Sequence, residues 1–106
     1  MEQNLYLLKD ADSVQSGTPL QTRGSIRKTF QLIGGTDSGT GSVSVDVEFS
    51  NDPKQEFFLL GGTITLTLGT TKTSDGFYTQ ANWTYVRGRI TSISGTGARV
   101  TLLMGL

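Results

Sequence analysis

The chain has 106 residues, no cysteine and no histidine, and its nine lysines and arginines balance nine aspartates and glutamates. This length predicts one domain with one modest core. The balanced charge argues against nucleic-acid binding by counterion release, and the lack of cysteine excludes a disulfide framework and a thiolate metal site. Because the commonest general base is also missing, we predict a non-enzymatic protein without a cofactor or a metal.

The first 24 residues are polar and rich in turn residues, apart from the apolar run of residues 4–8, which predicts a short strand. We therefore predict an extended N-terminal arm, residues 1–24, followed by a β-sandwich domain, residues 25–106. The acidic start does not resemble a signal peptide. No run approaches the roughly 20 apolar residues of a membrane span. We expect synthesis in the cytoplasm and no membrane partner.

Residues 25–33 predict a strand, and the Gly-, Ser- and Thr-rich residues 34–41 predict a loop. The clearest pattern follows in residues 42–50, where apolar and polar residues alternate, which predicts a strand with one buried face. Asn51, Asp52 and Pro53 predict its end, because proline cannot continue a sheet ladder. Residues 63–69 alternate threonine with isoleucine and leucine and predict another strand.

The dipeptide Asp75-Gly76 is a hairpin signal, so residues 70–77 are predicted to form a turn. Residues 83–93 predict a long strand in which Gly88 marks a bulge or a close backbone approach. The turn Gly95-Thr96-Gly97 and a final alternating strand follow. The C-terminal third therefore has the shape of a hairpin that finishes a sheet.

Six to eight short strands with frequent turn signals and no helical period predict an all-β fold, as an antiparallel β-sandwich, a jelly roll or a small barrel. The buried strand faces define the expected core. Its members are Val43, Val45, Val47, Phe49, Ile64, Leu66, Leu68, Val86, Ile90, Val100, Leu102 and Met104.

The oxygen-bearing residues do not predict a catalytic or metal site. Asp46 and Glu48 share a strand face, as a glycosidase pair would, but the serines beside them favour an ordinary solvated face. Asp10 with Asp12, and residues 51–52, lack the spacing of a calcium loop. The Gly-rich residues 34–41 lack the lysine pattern of a phosphate loop.

Arg87 and Arg89 lie two residues apart in the long strand and would form a positive stripe. Three roles fit this stripe: nucleic-acid binding beside exposed aromatics, pairing with acids on a neighbouring strand, or a protein interface. The zero net charge favours the last two. The acids available for pairing are Asp46, Glu48 and Glu56. The candidate interface residues are Leu5, Tyr6, Leu7, Trp83, Tyr85, Arg87 and Arg89.

Several stretches together resemble the small β-sandwich structural proteins of tailed bacteriophages. The matching residues are 43–52, Tyr85-Val86-Arg87, Gly95-Thr96-Gly97 and 100–105. The resemblance implies a capsid decoration (cement) protein that binds across subunits of the major capsid protein on the capsid exterior. Two alternatives remain: a phage tail, adaptor or fibre module, or a carbohydrate-binding β-sandwich with Tyr78, Trp83 and Tyr85 as its platform.

The same resemblance sets expectations for partners. The polar arm would order along a neighbouring subunit. Free sheet edges and the arm together predict a symmetric dimer or trimer. Direct contact with nucleic acid is not expected.

Overall fold

The computed structural model describes residues 4–22, 27–51, 58–80 and 83–105. Eight strands run through these residues: β1 Asn4–Ala11, β2 Leu20–Gln21, β3 Arg27–Gly35, β4 Ser38–Ser50, β5 Leu59–Leu68, β6 Thr73–Gln80, β7 Tyr85–Thr96 and β8 Arg99–Gly105. Nowhere in the described residues is there a helix of the length and apolarity that a membrane crossing requires. The all-β prediction is confirmed.

The strands form two four-stranded antiparallel sheets. Sheet A has the order β1-β8-β3-β6, and sheet B has the order β2-β7-β4-β5. The pairs β1–β8, β2–β7, β3–β6 and β4–β5 are nested, as if one long antiparallel ribbon had folded over on itself. The pairs β3–β8 and β4–β7 then complete the two sheets. This connectivity is that of a jelly roll.

The C-terminal third does not form the expected hairpin. β7 belongs to sheet B and β8 to sheet A, so the link between them is an arch that crosses the sandwich. Gly95 and Gly97 have φ angles of 121° and 65°, which glycine adopts without steric cost. The amide of Ala98 donates to the carbonyl of Gly95 at 3.3 Å. A glycine-rich turn signal is the same for an arch and for a hairpin, which explains the wrong prediction.

The core lies between the sheets, and every predicted core residue is buried. The additional buried apolar residues are Leu7, Leu8, Ala11, Phe30, Leu32 and Ala98. Gly88 marks a close approach, as one of its two predicted roles required, because an added Cβ would lie 2.6 Å from Leu102 Cδ2. The bulge in this strand falls instead at Thr91, where the register with β4 shifts by one residue.

Much of the predicted arm belongs to the folded sandwich. β1 is an edge strand of sheet A, and its register with β8 shifts between Tyr6 and Leu8. Because of this shift, the consecutive residues Leu7 and Leu8 are both buried. Further along, the amide of Gly17 donates to the carbonyl of Gly88 at 2.8 Å. The predicted boundary between residues 24 and 25 lies outside the described residues.

Two segments predicted as turns are largely strand. The predicted loop at residues 34–41 is reduced to Thr36 and Asp37, between β3 and β4. Asp75 and Gly76 lie inside β6, paired with Leu32 and Gln31. Pairing with β3 overrides the local turn preference there, and residues 69–72 make the turn instead. The predicted turn at Asp52 and Pro53 lies outside the described residues.

The assigned strand register predicts the effect of a charge in the core. Val45 is fully buried, so Val45→Asp places an uncompensated carboxylate among apolar side chains. We expect the free energy of unfolding to fall by about 3–5 kcal/mol, measured by chemical denaturation. Ser44→Asp, on the opposite face of the same strand, is the control and should change it by less than about 1 kcal/mol. Equal losses in the two variants would contradict the register.

The buried cation in β3 predicts a dependence on pH. Lys28 has no exposed surface, and desolvation lowers the pKa of its ammonium group below 10.5. Between the lowered pKa and 10.5, the unfolded chain binds more protons than the folded one, so stability rises with pH. We therefore expect the wild-type protein to gain stability relative to Lys28→Met across this window. Lys72→Met, which removes an exposed lysine, should show no such trend in the same denaturation series.

Candidate protein interface on the outer face of sheet B

The outer face of sheet B has two halves of different chemistry. One half carries only small hydroxyl side chains, from Ser42, Ser44, Thr65, Thr67, Ser92 and Ser94. The other half is charged, aromatic and apolar. We call it the Arg87 patch, and its members are Asp46, Glu48, Phe58, Leu60, Tyr85, Arg87 and Arg89.

Arg87 is fixed at the centre of this patch. It lies opposite Glu48 in the ladder between β4 and β7, and its Nε donates to Glu48 Oε1 at 2.7 Å. The guanidinium carbon lies 3.9 Å from the centroid of the Phe58 ring, in a cation–π contact. The two charged side chains are only 21% and 11% exposed. The predicted cross-strand pairing of Arg87 is therefore present, and it holds the arginine in one place.

Arg89 is in a different situation. Its register partner is Asp46, but the carboxylate of Asp46 accepts a hydrogen bond of 2.8 Å from Thr63 Oγ1. Arg89 is exposed and forms no ion pair with any of the described residues. The predicted partner Glu56 lies outside the described residues. Arg89 therefore presents a positive charge to solvent beside a carboxylate that is already engaged.

The carboxylates Asp46 and Glu48 lie on the same face, as the sequence predicted. Each already has a partner of its own, Thr63 for the first and Arg87 for the second. This arrangement matches a surface network better than a glycosidase pair, whose two carboxyl groups face the substrate between them.

An exposed apolar side chain flanks the ion pair. Leu60, opposite Glu48, is 63% exposed, whereas the 51% exposed Leu59 lies opposite the buried Phe49. Arginine, aromatic residues and apolar side chains around a shielded centre are the composition of protein interfaces. The sequence analysis did not identify Phe58, Leu59 and Leu60 as surface residues. They belong to the apolar run of residues 57–60, and a short apolar run usually indicates a buried strand.

The predicted interface residues do not form one surface. Tyr85, Arg87 and Arg89 lie together in the Arg87 patch, whereas Tyr6 is exposed on the outer face of sheet A. The other three pack inward: Leu7 is buried, Leu5 is half-buried against the core, and Trp83 stacks on Phe49 with ring centroids 6.2 Å apart. Burial leaves Leu7 no surface for a partner.

The aromatic platform proposed for a sugar is divided in the same way. Tyr78 faces outward from β6 in sheet A, and Tyr85 faces outward from β7 in sheet B. Trp83 is half-buried and stacks on Phe49 of the core. These three rings cannot stack on one sugar.

Among the candidate calcium ligands, Asn51 has a structural role. Asn51 Oδ1 accepts hydrogen bonds of 3.1 Å from both the amide and the hydroxyl of Thr84. Asp52 lies outside the described residues. Within residues 4–22, 27–51, 58–80 and 83–105, no group of three or more His, Cys, Asp or Glu side chains could hold a metal ion.

Comparison with known proteins supports the architecture. No protein-family model matches this chain, and no curated protein sequence matches it. A solved structure does match: the SPBc2 prophage-derived protein YomS superposes with a TM-score of 0.64. The two chains share a fold. The superposition covers 99% of this chain and 91% of YomS, at 16% sequence identity.

The geometry of the patch predicts different roles for its two arginines. Arg87→Ala would leave the shielded Glu48 carboxylate without its cation, so we expect a loss of about 1–3 kcal/mol in the free energy of unfolding. Adding Glu48→Gln should recover part of this loss. Arg89→Ala, the matched control, should stay within about 0.5 kcal/mol of wild type. Equal effects of the two arginine variants in chemical denaturation would contradict the assigned pairing.

Proposed function

We propose that the protein is a non-enzymatic structural protein of a bacteriophage virion, which decorates the capsid and binds across subunits of its major capsid protein. The observation that carries the proposal is a jelly roll that superposes over 99% of its length on a prophage-derived protein. Jelly rolls occur in viral capsid proteins, lectins and cupins. The sequence resemblance to phage β-sandwich proteins supports the first of these.

The Arg87 patch is the surface that we assign to the capsid. Its central arginine is already held by Glu48 and Phe58, so little side-chain freedom is lost on docking. The exposed side chains of Leu60 and Arg89 then offer one apolar anchor and one free charge. The complementary surface would carry an apolar pocket beside a carboxylate.

The charges of the patch favour a protein partner over DNA. Glu48 neutralises Arg87, which leaves Arg89 as the exposed cation of the patch. Tight binding to a phosphate backbone requires many such contacts. This supports a place on the capsid exterior, reached after synthesis in the host cytoplasm, without direct contact with the genome.

The fold and the patch also fit a tail, adaptor or fibre module. Copy number separates these roles, since a capsid lattice repeats its sites far more often than a tail does. A carbohydrate-binding role has less support, because its three proposed aromatic residues face different directions.

The capsid role can be tested by quantitative mass spectrometry of purified particles of the phage that encodes this chain. We expect on the order of hundreds of copies per particle for a capsid protein. Roughly a dozen copies or fewer would indicate a tail or portal component. Absence of the protein from purified particles would overturn the virion role altogether.

Attachment to particles that lack the protein then tests the patch itself. Leu60→Asp and Arg89→Glu change exposed side chains, so both variants should fold normally and lose attachment. Thr65→Glu alters the hydroxyl half of the same face and is the control that should attach like the wild type. Attachment that survives both patch variants would place the capsid contact elsewhere.

A further inference from the structure

β6 is the least protected of the four sheet edges. β2 has only two residues, and β1 is interrupted by two register shifts and carries Lys9 and Asp10. β5 contains a bulge at Gly61, and its Thr67 carbonyl accepts a hydrogen bond from Thr73. Short strands, charges and bulges are the usual means by which natural proteins prevent edge pairing. β6 has no bulge, proline or lysine across its eight residues, and Asp75 is its single charged residue.

One side of β6 offers backbone groups that no other strand of the described residues uses. In the described part of the chain, β6 pairs with β3 alone. The amide of Gly76 donates to the side chain of Asp75 at 2.8 Å, so it points away from β3. Since backbone groups alternate in direction along a strand, those of Ser74, Tyr78 and Gln80 also point to the open side.

We propose that β6 is the interface of a two-fold symmetric dimer, in which the β6 strands of two copies pair antiparallel about Phe77 and join their sheets A into one. In this register Ser74 pairs with Gln80 of the second copy, and Gly76 pairs with Tyr78 of the second copy. All four outward-facing residues of each strand then form hydrogen-bonded pairs. The Asp75 side chain gives up the Gly76 amide to the incoming strand.

The side chains of β6 fit a second copy of the same strand. On the outer face, the 70% exposed Tyr78 would lie over Gly76 of the other chain, where no side chain occupies the space. On the inner face, Asp75 would lie opposite Thr79, whose hydroxyl can donate to it. The two Asp75 carboxylates would be about 14 Å apart, too far for strong repulsion.

A second copy is favoured over an unrelated peptide by symmetry. A two-fold axis perpendicular to the strands places two identical edge strands antiparallel to each other. Each pair of complementary residues then occurs twice in the interface. Nothing in this argument depends on the proposed virion role, so the dimer can be tested on the isolated protein.

The first experiment measures mass in solution by light scattering and analytical ultracentrifugation over a micromolar concentration series. We expect a reversible dimer. Tyr78→Pro removes an outward-facing amide, and with it a hydrogen bond across the interface, so it should weaken the dimer at least tenfold. The variant should still fold, because proline is tolerated on the open side of an edge strand. Thr65→Lys, on the edge strand of sheet B, is the control and should dimerise like the wild type.

The second experiment tests the register and does not rely on the proline variant folding. The chain has no cysteine, so a disulfide can form only between introduced residues. In Ser74→Cys/Gln80→Cys, Cys at position 74 of one copy lies opposite Cys at position 80 of the second copy. Their Cα atoms would be about 5.5 Å apart, a distance that suits a disulfide. Mild oxidation should give a covalent dimer with this variant but not with Ser74→Cys alone.

Three outcomes would overturn the proposal. These are a folded wild-type protein that stays monomeric throughout the series, a dimer that persists in a folded Tyr78→Pro variant, and equal crosslinking by the single and double cysteine variants. Loss of dimerisation in Thr65→Lys but not in Tyr78→Pro would move the interface to β5.

Discussion

The ladder between β4 and β7 is the interaction on which the rest of the molecule depends. It forms the middle of sheet B, and its inward side chains, such as Val45 and Ile90, are fully buried. Its outward side chains are the charged centre of the Arg87 patch. The same ladder places Gly88 against Leu102 of the opposite sheet, so closely that an added Cβ would not fit. Core, sheet spacing and candidate interface are thus set by one register.

The register of the central part of this ladder depends on one extra residue, Thr91. From Val45 to Ser50, β4 pairs with the start of β7 in one frame, and beyond Thr91 the frame shifts by one residue. Without the bulge, the residues on one side of it would exchange their inner and outer faces. Ile93 could then not pack toward the core while Arg87 and Arg89 face solvent.

The sequence predicted the strands that have one buried face. Alternation in residues 42–50 and 63–69 identified core residues, because burial on one side leaves a period of two in the sequence. β6 was missed for the same reason, since at a sheet edge nearly all its residues are exposed and no apolar period remains. In β1, the shift between Tyr6 and Leu8 breaks the alternation that would have marked a core strand.

The candidate site was predicted less completely than the fold. The spacing of Arg87 and Arg89 placed them on one face, but spacing cannot say which acid lies opposite each of them. The pairing with Glu48 depends on the β4–β7 register, and the contact with Phe58 depends on where the chain returns into β5. Whether the last two strands form a hairpin or an arch likewise depends on which distant strands they pair with.

The nested order of strand pairing also determines at which stage of synthesis the domain can fold. β1 pairs with β8, so the first and last strands in sequence lie side by side. As the chain leaves the ribosome, β4 and β5 can associate early, but sheet A lacks its second strand until β8 emerges. Closing such long loops makes folding slow, in the millisecond-to-second range typical of β-sandwiches. We therefore expect this domain to fold only after β8 has left the ribosome, and a chain that lacks β8 should remain sensitive to protease.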